Sequence, residues 1–372
     1  MEASAPSPQQ PQRSNWASLV VGPLRVAVAL IVPVITFLLL RWSFNFMRDA
    51  DANKLIVAIV ALVVGVGAVW VLYLASDALV SLLPDSMRET VRPFVFVGPA
   101  LVILGVYLVY PTVLTIWLSF FDARSESFVG LENYIFALTN DEMLIALRNN
   151  VLWIVFVTSA VVGFGLVIAV LVDRIGRWEP FAKSTIFLPM AISAVGASVI
   201  WKFVYSFQPI QRPQIGLLNA IYTSLGGDPQ GWLILKPFNN FFLMFIMVWI
   251  LTGFAMVVLS AAIKGVPGEL LEAARIDGAS EIRIFFGIII PTIRTTLITI
   301  ATTVLIMVLK VFDIVFVMTS GQFETEVIAN RMFREMFTFR NFGRSSALAV
   351  ILLLAVIPVM IYNVRSFQES RR

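Results

Sequence analysis

Residues 266–291 read VPGELLEAARIDGASEIRIFFGIIIP. This stretch is polar and patterned, although it lies between two long apolar runs of the chain. Pro267 suits the first position of a helix, because its missing N–H would be unbonded there anyway. Gly278 can adopt the left-handed conformation that ends a helix, so the sequence predicts a short helix between these two residues. A second amphipathic stretch leads to Pro291 and the next apolar run.

The side chains of this predicted helix suit a docking element. Glu269 and Glu272 lie near its positive N-terminal end and offer carboxylates to Arg or Lys of another protein. Ala273 and Ala274 are strong helix formers with almost no side-chain bulk, so a partner can approach that face closely. A helix outside the membrane, between two spans, can transmit movement into both.

The composition points to a membrane protein. Of the 372 residues, 59% are hydrophobic and only 13% are charged, whereas a soluble chain has roughly 25% charged residues. So few charges cannot cover a soluble surface, and a chain in lipid must satisfy its backbone polar groups internally. The sequence therefore predicts an all-α membrane protein surrounded by membrane lipid.

Several classes of chemistry are excluded because the chain contains no His and no Cys. Ser–His catalysis, thiolate nucleophiles, imidazole ligands and thiolate zinc sites are all ruled out. A site built from carboxylates alone is the one metal site that stays formally open. No Gly-rich phosphate loop of the Walker type is present, so the chain is predicted not to hydrolyse ATP. We expect no cofactor, no metal and no catalytic residue, and the net charge of +4 does not imply nucleic acid.

Eight apolar runs are each long enough to cross about 30 Å of hydrocarbon at roughly 1.5 Å per residue. They are residues 18–40, 55–75, 94–120, 151–172, 185–205, 241–262, 297–318 and 347–364. Eight transmembrane helices place both termini on one side of the membrane. The Lys and Arg counts balance on the two sides, so charge bias does not decide the orientation.

The sequence is predicted to divide into three parts. Residues 1–17 are rich in Pro, Gln and Ser and are predicted to form a disordered tail. Residues 18–91 are predicted to hold two extra N-terminal transmembrane helices. Residues 92–372 are predicted to form a six-helix core, with the patterned loop at 263–294.

The loop resembles a known family. Glu272-Ala273-Ala274, then Gly278, Ile288 and Pro291 match the EAA signature of ABC importer permeases. Other segments resemble the alpha-glucoside transport permeases, the larger partner of the maltose-permease type. These are Gly216-Leu217-Leu218-Asn219, Trp249 with Thr252-Gly253-Phe254, and the run from Phe323 to Arg331, while Asn149-Asn150 fits the sugar permeases. The resemblance covers about residue 92 to the C-terminus, and the first two spans fit the N-terminal extension of that type without specific motifs.

This resemblance implies a type I ABC importer permease fold with two extra N-terminal helices. Such a permease pairs with a second homologous permease and with two ATPase subunits, and an extracytoplasmic sugar-binding protein delivers the substrate. The EAA loop of these permeases sits in a cleft on the ATPase, which implies cytoplasmic termini and a multi-pass protein of the plasma (inner) membrane. The implied ATPase-coupling residues are Glu269, Glu272, Ala273, Ala274, Arg275, Asp277, Gly278 and Pro291.

A sugar path requires polar groups and aromatic faces for stacking. The sixth predicted span offers Trp249, Thr252 and Phe254. The fifth offers Ser193, Ser198 and Trp201. In maltose-type relatives the sugar lies near the middle of the membrane against matching helices, but where those permeases carry Asn this chain is apolar, near Val308 and Val311. The alternative is that Trp249 and Phe254 only pack between helices.

Lys310 and Asp313 are three residues apart in the seventh predicted span, so they are expected to share a helix face. Charges inside a membrane are costly and usually face a cavity or a partner. The two residues are therefore predicted either to pair or to gate the path, or else to reach water near the outer helix end.

The main alternative function is an ion-coupled secondary sugar carrier. Such a carrier requires carboxylates at the membrane midplane or a proton relay, and only Lys310 and Asp313 qualify. An intramembrane enzyme is disfavoured by the absence of His and Cys. The sequence does not name the sugar: trehalose, maltose, sucrose and other alpha-glucosides all remain open.

Overall fold

The computed structural model describes residues 31, 34–48, 53–81 and 85–369. Within these ranges the chain is helical, and its only β pairing is an isolated antiparallel bridge between Phe121 and Phe128. The prediction of an all-α protein is confirmed. The chain divides into two compact units, Met1–Pro111 and Thr112–Arg372. The predicted boundary at residue 92 stays a prediction, and the predicted tail at 1–17 lies outside the described residues.

The described part of the first unit begins with three helices. They are α1 (Val34–Met47), α2 (Lys54–Ser81) and α3 (Asp85–Leu104), with α2 packed against α3. Apolar side chains such as Leu62 and Val69 are exposed along α2, as expected of a helix that faces lipid. The second predicted span lies within α2. The first lies largely outside the described residues, so the count of eight spans stays a prediction.

The remaining described helices are named here in chain order. They are α4 (Tyr110–Leu118), α5 (Glu132–Thr139), α6 (Asp141–Val172), α7 (Glu179–Phe187), α8 (Ala194–Val204), α9 (Leu217–Ser224), α10 (Asn239–Lys264), α11 (Gly268–Ile276), α12 (Glu281–Ile284), α13 (Ile290–Thr292), α14 (Arg294–Leu309), α15 (Asp313–Met318), α16 (Ile328–Phe337) and α17 (Phe342–Glu369).

The core of the second unit forms between α6 and α10, the most extensive helix pair. A Cβ added to Gly165 on α6 would lie 2.6 Å from the Cβ of Ala255 on α10, so glycine permits their close approach. Fully buried Trp153 on α6 and Leu259 on α10 belong to the same apolar cluster. The two helices therefore form the scaffold on which the remaining elements are placed.

Among the described residues, five helices are long and apolar enough to cross a membrane, or seven if each of two bent pairs counts as one span. α6 begins ten residues before the predicted start at residue 151. Asn140 explains the early start, because its Oδ1 caps the helix by accepting the backbone N–H of Glu142 at 3.1 Å.

The predicted span at 185–205 is not one straight helix. The chain forms two helical segments, Gly176–Ala191 and Ala194–Val204, that meet at 100°. Pro189 lies in the 3₁₀ turn Leu188–Ala191 before the bend. Proline lacks the N–H that would continue an α-helix, which explains why the helix stops there.

Prolines also explain two π-helical turns. The π turn Gly105–Val109 precedes Pro111, and the π turn Phe285–Ile289 precedes Pro291. A proline ring clashes with the carbonyl four residues earlier, and a widened turn relieves that clash.

Candidate coupling loop and substrate path

The predicted docking helix exists as α11, directly after α10. Pro267 is its N-cap, with φ −56° and ψ 125°, and the helix begins at Gly268. The start is one residue later than predicted, because the extended ψ of Pro267 places it just outside the helix. Glu269 lies in the first turn, where its carboxylate faces the positive end of the helix dipole.

The end of α11 is a Schellman motif. Gly278 has φ +79°, its N–H donates to the carbonyl of Arg275 at 3.0 Å, and the N–H of Ala279 donates to the carbonyl of Ala274 at 3.0 Å. A Cβ added to Gly278 would meet nothing within 4 Å. Glycine is therefore required by the backbone conformation and not by crowding.

The predicted docking side chains are presented on an open surface. Glu272, Ala273 and Asp277 are exposed, and Ala274 is half-buried. Arg275 is also exposed, but its Nε donates to Glu281 Oε1 at 2.8 Å and thereby ties α11 to α12. Arg275 consequently holds the loop together as well as facing outward.

An exposed apolar patch at the end of α11 and just beyond it was not predicted from the sequence. Ile276 is 87% exposed, and Ile282 and Phe286 are exposed as well. Large apolar side chains left bare beside charged ones are typical of a protein interface. The signal was present in the sequence, since the three residues lie in the stretch that was interpreted as docking, but only the structure shows which of its apolar residues point outward.

The loop is anchored at both of its ends. Val266, before α11, is buried in the core cluster, and Ile284, at the end of α12, is buried too. Pro291 is exposed and follows the π turn, close to a 69° bend between Glu281–Thr292 and Arg294–Leu309. Pro291 therefore shapes the return of the loop into the bundle, away from the α11 surface.

The structure brings together two aromatic residues of the predicted sugar path. The ring of Trp249 on α10 lies 5.7 Å from that of Trp201 on α8, edge to face. Thr252 is buried, and its hydroxyl donates to the carbonyl of Val248 in the same helix at 2.6 Å. The Thr252 oxygen can still accept a hydrogen bond. Phe254 packs against the core cluster.

The two serines of the predicted path have local bonding roles. Ser193 is the N-cap of α8, and its Oγ accepts the backbone N–H of Gly196 at 3.0 Å. Ser198 is fully buried and donates to the carbonyl of Ala194 at 2.7 Å. Each hydroxyl is thus engaged with its own helix.

An apolar cavity of about 480 Å³ lies beside the Trp201 end of the path. Tyr205 lines it, and its hydroxyl donates to the carbonyl of Phe242 at 3.0 Å. The other lining residues are Phe156, Trp201, Val204, Leu217, Leu218, Ile221, Phe241, Phe242 and Phe245. A sugar requires several hydrogen-bond partners, so this cavity does not suit a sugar by itself.

The prediction that Lys310 and Asp313 share a helix face is wrong. Lys310 is the C-cap of α14, and Asp313 is the first residue of α15. Phe312 between them has φ −137°, so the helix is interrupted. Both charged residues are exposed, and no ion pair joins them among the contacts of the described residues. Asp313 instead starts a helix, where a negative charge is favourable.

The positions where maltose permeases carry Asn are part of the packed interior. Val308 is fully buried and Val311 nearly so, and both belong to the main apolar cluster. A polar contact to a substrate is therefore not available at either position.

At the far end of α10, the structure joins two segments that the family resemblance singled out separately. Asn149 Nδ2 donates to the carbonyls of Glu324 and Glu326, each at 2.8 Å. Asn150 Oδ1 accepts the N–H of Ile328 at 2.8 Å. Lys236 Nζ donates to Glu324 Oε1 at 2.6 Å, and this ammonium holds the pKa of the Glu324 carboxyl below its usual range.

Comparisons with known proteins show the family to which the chain belongs. The family model of the binding-protein-dependent transport system inner membrane component matches residues 161–371. The chain is 60% identical over 277 residues to the osmoprotective compounds uptake permease protein GgtC of Synechocystis, covering 74% of this chain and 99% of that one. It is 50% identical over 281 residues to the alpha-glucoside transport system permease protein AglF of Rhizobium meliloti, covering 75% and 83%.

The fold has also been seen in a solved structure. A chain of a bacterial ABC transporter involved in the import of the acidic polysaccharide alginate superposes with a TM-score of 0.65 at 19% identity, covering 76% of this chain and 98% of that chain. The family match covers the larger part of the second unit, including α11 and its Schellman end. The chain therefore belongs to the family of binding-protein-dependent transport system inner membrane components.

Proposed function

We propose that this chain is the permease subunit of an ATP-driven ABC importer that carries a sugar, an alpha-glucoside or a similar oligosaccharide. The observation that carries the proposal is α11: an exposed nine-residue helix, anchored at both ends, between two helices that can cross the membrane. The names of the relatives support the substrate class, since one is an alpha-glucoside permease and another takes up osmoprotective compounds.

The remaining subunits follow from this role. We propose that a second, homologous permease pairs with this chain, and that two ATPase subunits bind ATP and receive α11. An extracytoplasmic binding protein delivers the sugar, in line with the alginate importer, whose structure was solved with its periplasmic protein. The chain itself is not an enzyme, since its sequence contains no Walker-type phosphate loop. This arrangement places α11 and both termini in the cytoplasm.

The contact with the ATPase combines charge and apolar surface. Glu269, Glu272 and Asp277 supply carboxylates, while Ala273 and Ala274 leave room for close approach. The exposed apolar patch of Ile276, Ile282 and Phe286 adds area that a partner would remove from water. Gly278 and Pro291 set the shape of the loop that presents this surface.

The sugar path is proposed along α8 and α10. Trp249 offers a ring face, and the Thr252 oxygen offers an acceptor, next to Trp201. Phe254 and Ser193 border this region, while Lys310 and Asp313 mark the helix break farther along. Because several of the hydroxyls are already bonded within their helices, the partner permease supplies further polar contacts to the sugar.

The test is reconstitution of the complete complex in vesicles. With binding protein loaded in turn with trehalose, maltose or sucrose, at least one sugar should stimulate ATP hydrolysis. Uptake should require ATP and survive collapse of the proton gradient by an ionophore. Uptake driven by a pH gradient without ATP would instead establish a secondary carrier, and the purified chain alone should hydrolyse no ATP.

A further inference from the structure

A partly buried cluster of charges joins three helices at the point where the coupling loop, residues 263–294, leaves the bundle. Lys183 on α7 is at its centre, with a side chain only 20% exposed. Its Nζ lies 2.9 Å from Asp173 Oδ1 and 2.7 Å from Glu179 Oε1, and it also contacts Ser260 Oγ. Asp173 is the C-cap of α6, so the ammonium links α6, α7 and α10.

The contribution of α10 comes from its last two turns. Ser260 is fully buried, and its hydroxyl donates to Asp173 Oδ1 at 2.6 Å. Lys264, the last residue of α10, contacts Glu179 and lies 3.9 Å from Asp173 Oδ1. Two carboxylates thus face two ammonium groups, and the charges of the cluster balance.

A contribution to stability does not by itself explain such a cluster. Removing charges from water costs free energy that their attraction often only just repays, so a packed apolar group of the same size serves stability as well or better. Within the described part of the chain, Asp173 Oδ2 is buried without a hydrogen-bond partner, which adds to that cost. What the cluster does provide is a fixed geometry between three helix ends.

The cluster lies next to the start of the coupling loop. Lys264 is four residues before Gly268, the first residue of α11. The contact between α7 and α10 continues toward the substrate path, since a Cβ on Gly253 would lie 2.5 Å from the carbonyl oxygen of Ile186. Beyond the 100° bend, Trp201 on α8 contacts Trp249 on α10.

We propose that Lys183 is a positioning residue that holds α7 to the base of α10, so that movement of α11 is passed to the α7–α8 bend. This inference rests on the proposed role of α11 as the ATPase contact. Among the contacts that attach α7 and α8 to α10, three lie at different heights: the charge cluster, the backbone contact at Gly253 and the indole pair. Only the charge cluster is next to the loop, so it determines whether α11 moves α7 or moves independently of it.

The test compares variants in the reconstituted complex. Lys183→Met removes the central ammonium, whereas Lys183→Arg keeps a cation. The matched control is Arg177→Met, which removes a charge from the same connection, where Arg177 stacks over Trp178 at 5.8 Å. We expect Lys183→Met to lower the stimulation of ATP hydrolysis by loaded binding protein about 10-fold, a size typical of coupling between sites. Subunit assembly and basal hydrolysis should be retained, and Lys183→Arg and Arg177→Met should stay close to the unmodified complex.

A second variant tests whether the defect comes from the lost link between α7 and α10 or from an unpaired buried carboxylate. Lys183→Met combined with Asp173→Asn restores the charge balance but not the link that Lys183 makes between α7 and α10. If the double variant recovers stimulation, the defect was an unpaired buried carboxylate and the proposal fails. If stimulation stays low in an assembled complex, the link between α7 and α10 is required for that stimulation.

Distances between spin labels on α7 and α10 measure directly whether the two helices are held together. The chain has no Cys, so nitroxide labels at Phe181→Cys on α7 and Val257→Cys on α10, both exposed, are unique. We expect one narrow distance distribution with and without ATP, and a broader one in Lys183→Met. Unchanged stimulation and an unchanged distribution in Lys183→Met would overturn the inference. Absence of sugar stimulation in the unmodified complex would instead refute the proposed function.

Discussion

The left-handed end of α11 allows the coupling role to be tested at a single backbone position. Gly278 has φ +79°, and a side chain at this position would meet no neighbouring atom within 4 Å. An L-residue in this conformation costs roughly 1–2 kcal/mol relative to glycine. That cost lowers the equilibrium ratio of the Schellman end to other loop conformations by a factor of about 5–30. The effect of substitution should therefore follow the left-handed preference of the residue and not its size.

Three substitutions at Gly278 give the matched comparison. Gly278→Val combines a β-branched side chain with the left-handed region and should lower coupled uptake most, by up to a factor of about 5–30. Gly278→Ala should have a smaller effect of the same kind. Gly278→Asn should stay close to the unmodified protein, because Asn tolerates the left-handed conformation better than other residues.

The assay is ATP-dependent sugar uptake in vesicles, with subunit assembly and membrane content measured for each variant. If Gly278→Asn is as defective as Gly278→Val, the partner surface and not the backbone conformation sets the requirement. If both variants transport normally, the Schellman end has no role in coupling and the reasoning is refuted.

The remaining predictions concern the docking charge, the sugar path and the packing of α10. Glu272→Lys reverses an exposed charge on α11 and should leave assembly intact while uptake is lost; normal uptake would remove this residue from the contact. Trp249→Ala and Thr252→Val should change the order of sugars that stimulate ATP hydrolysis while basal hydrolysis stays intact, and unchanged selectivity in a destabilised complex would show a packing role. Gly253→Ala places a Cβ 2.5 Å from the carbonyl oxygen of Ile186, so overpacking of about 1–3 kcal/mol should lower the melting temperature of the complex; an unchanged melting temperature would show that α7 yields easily.

The local signals of the coupling loop were strong enough to be interpreted from the sequence. A proline, a short polar helix and a glycine follow one another within twelve positions, and each has a conformational meaning that depends little on distant residues. The structure accordingly agrees with the predicted helix to within one residue at its start and places Gly278 at its left-handed end.

The helix breaks were harder to predict because hydropathy does not record them. The run 185–205 is predominantly apolar, but its direction changes by 100° after the turn that holds Pro189. The break after Leu309 contains no proline or glycine, and only its dihedral angles reveal it. The assignment of Lys310 and Asp313 to one face failed for this reason.

The charge cluster illustrates a different limit. Glu179 and Lys183 are four residues apart, which is a readable helix pair. A further partner of Lys183, Ser260, is 77 residues beyond it in the sequence, inside a long apolar run. A lone serine in such a run normally bonds to its own helix, so nothing in the sequence links it to the lysine.

The contrast between straight and broken helices places α10 at the centre of the proposed mechanism. α10 remains one helix for 26 residues and contains no proline. The bent turn before α8, as well as α14 and α15, pack against it. Thr252 and Lys264 are twelve residues apart on α10, which corresponds to about 18 Å of unbroken helix. In the proposed mechanism, a displacement of α11 is passed to the Trp249–Thr252 region along one unbroken helix, and the broken helices around α10 supply the places where the bundle bends.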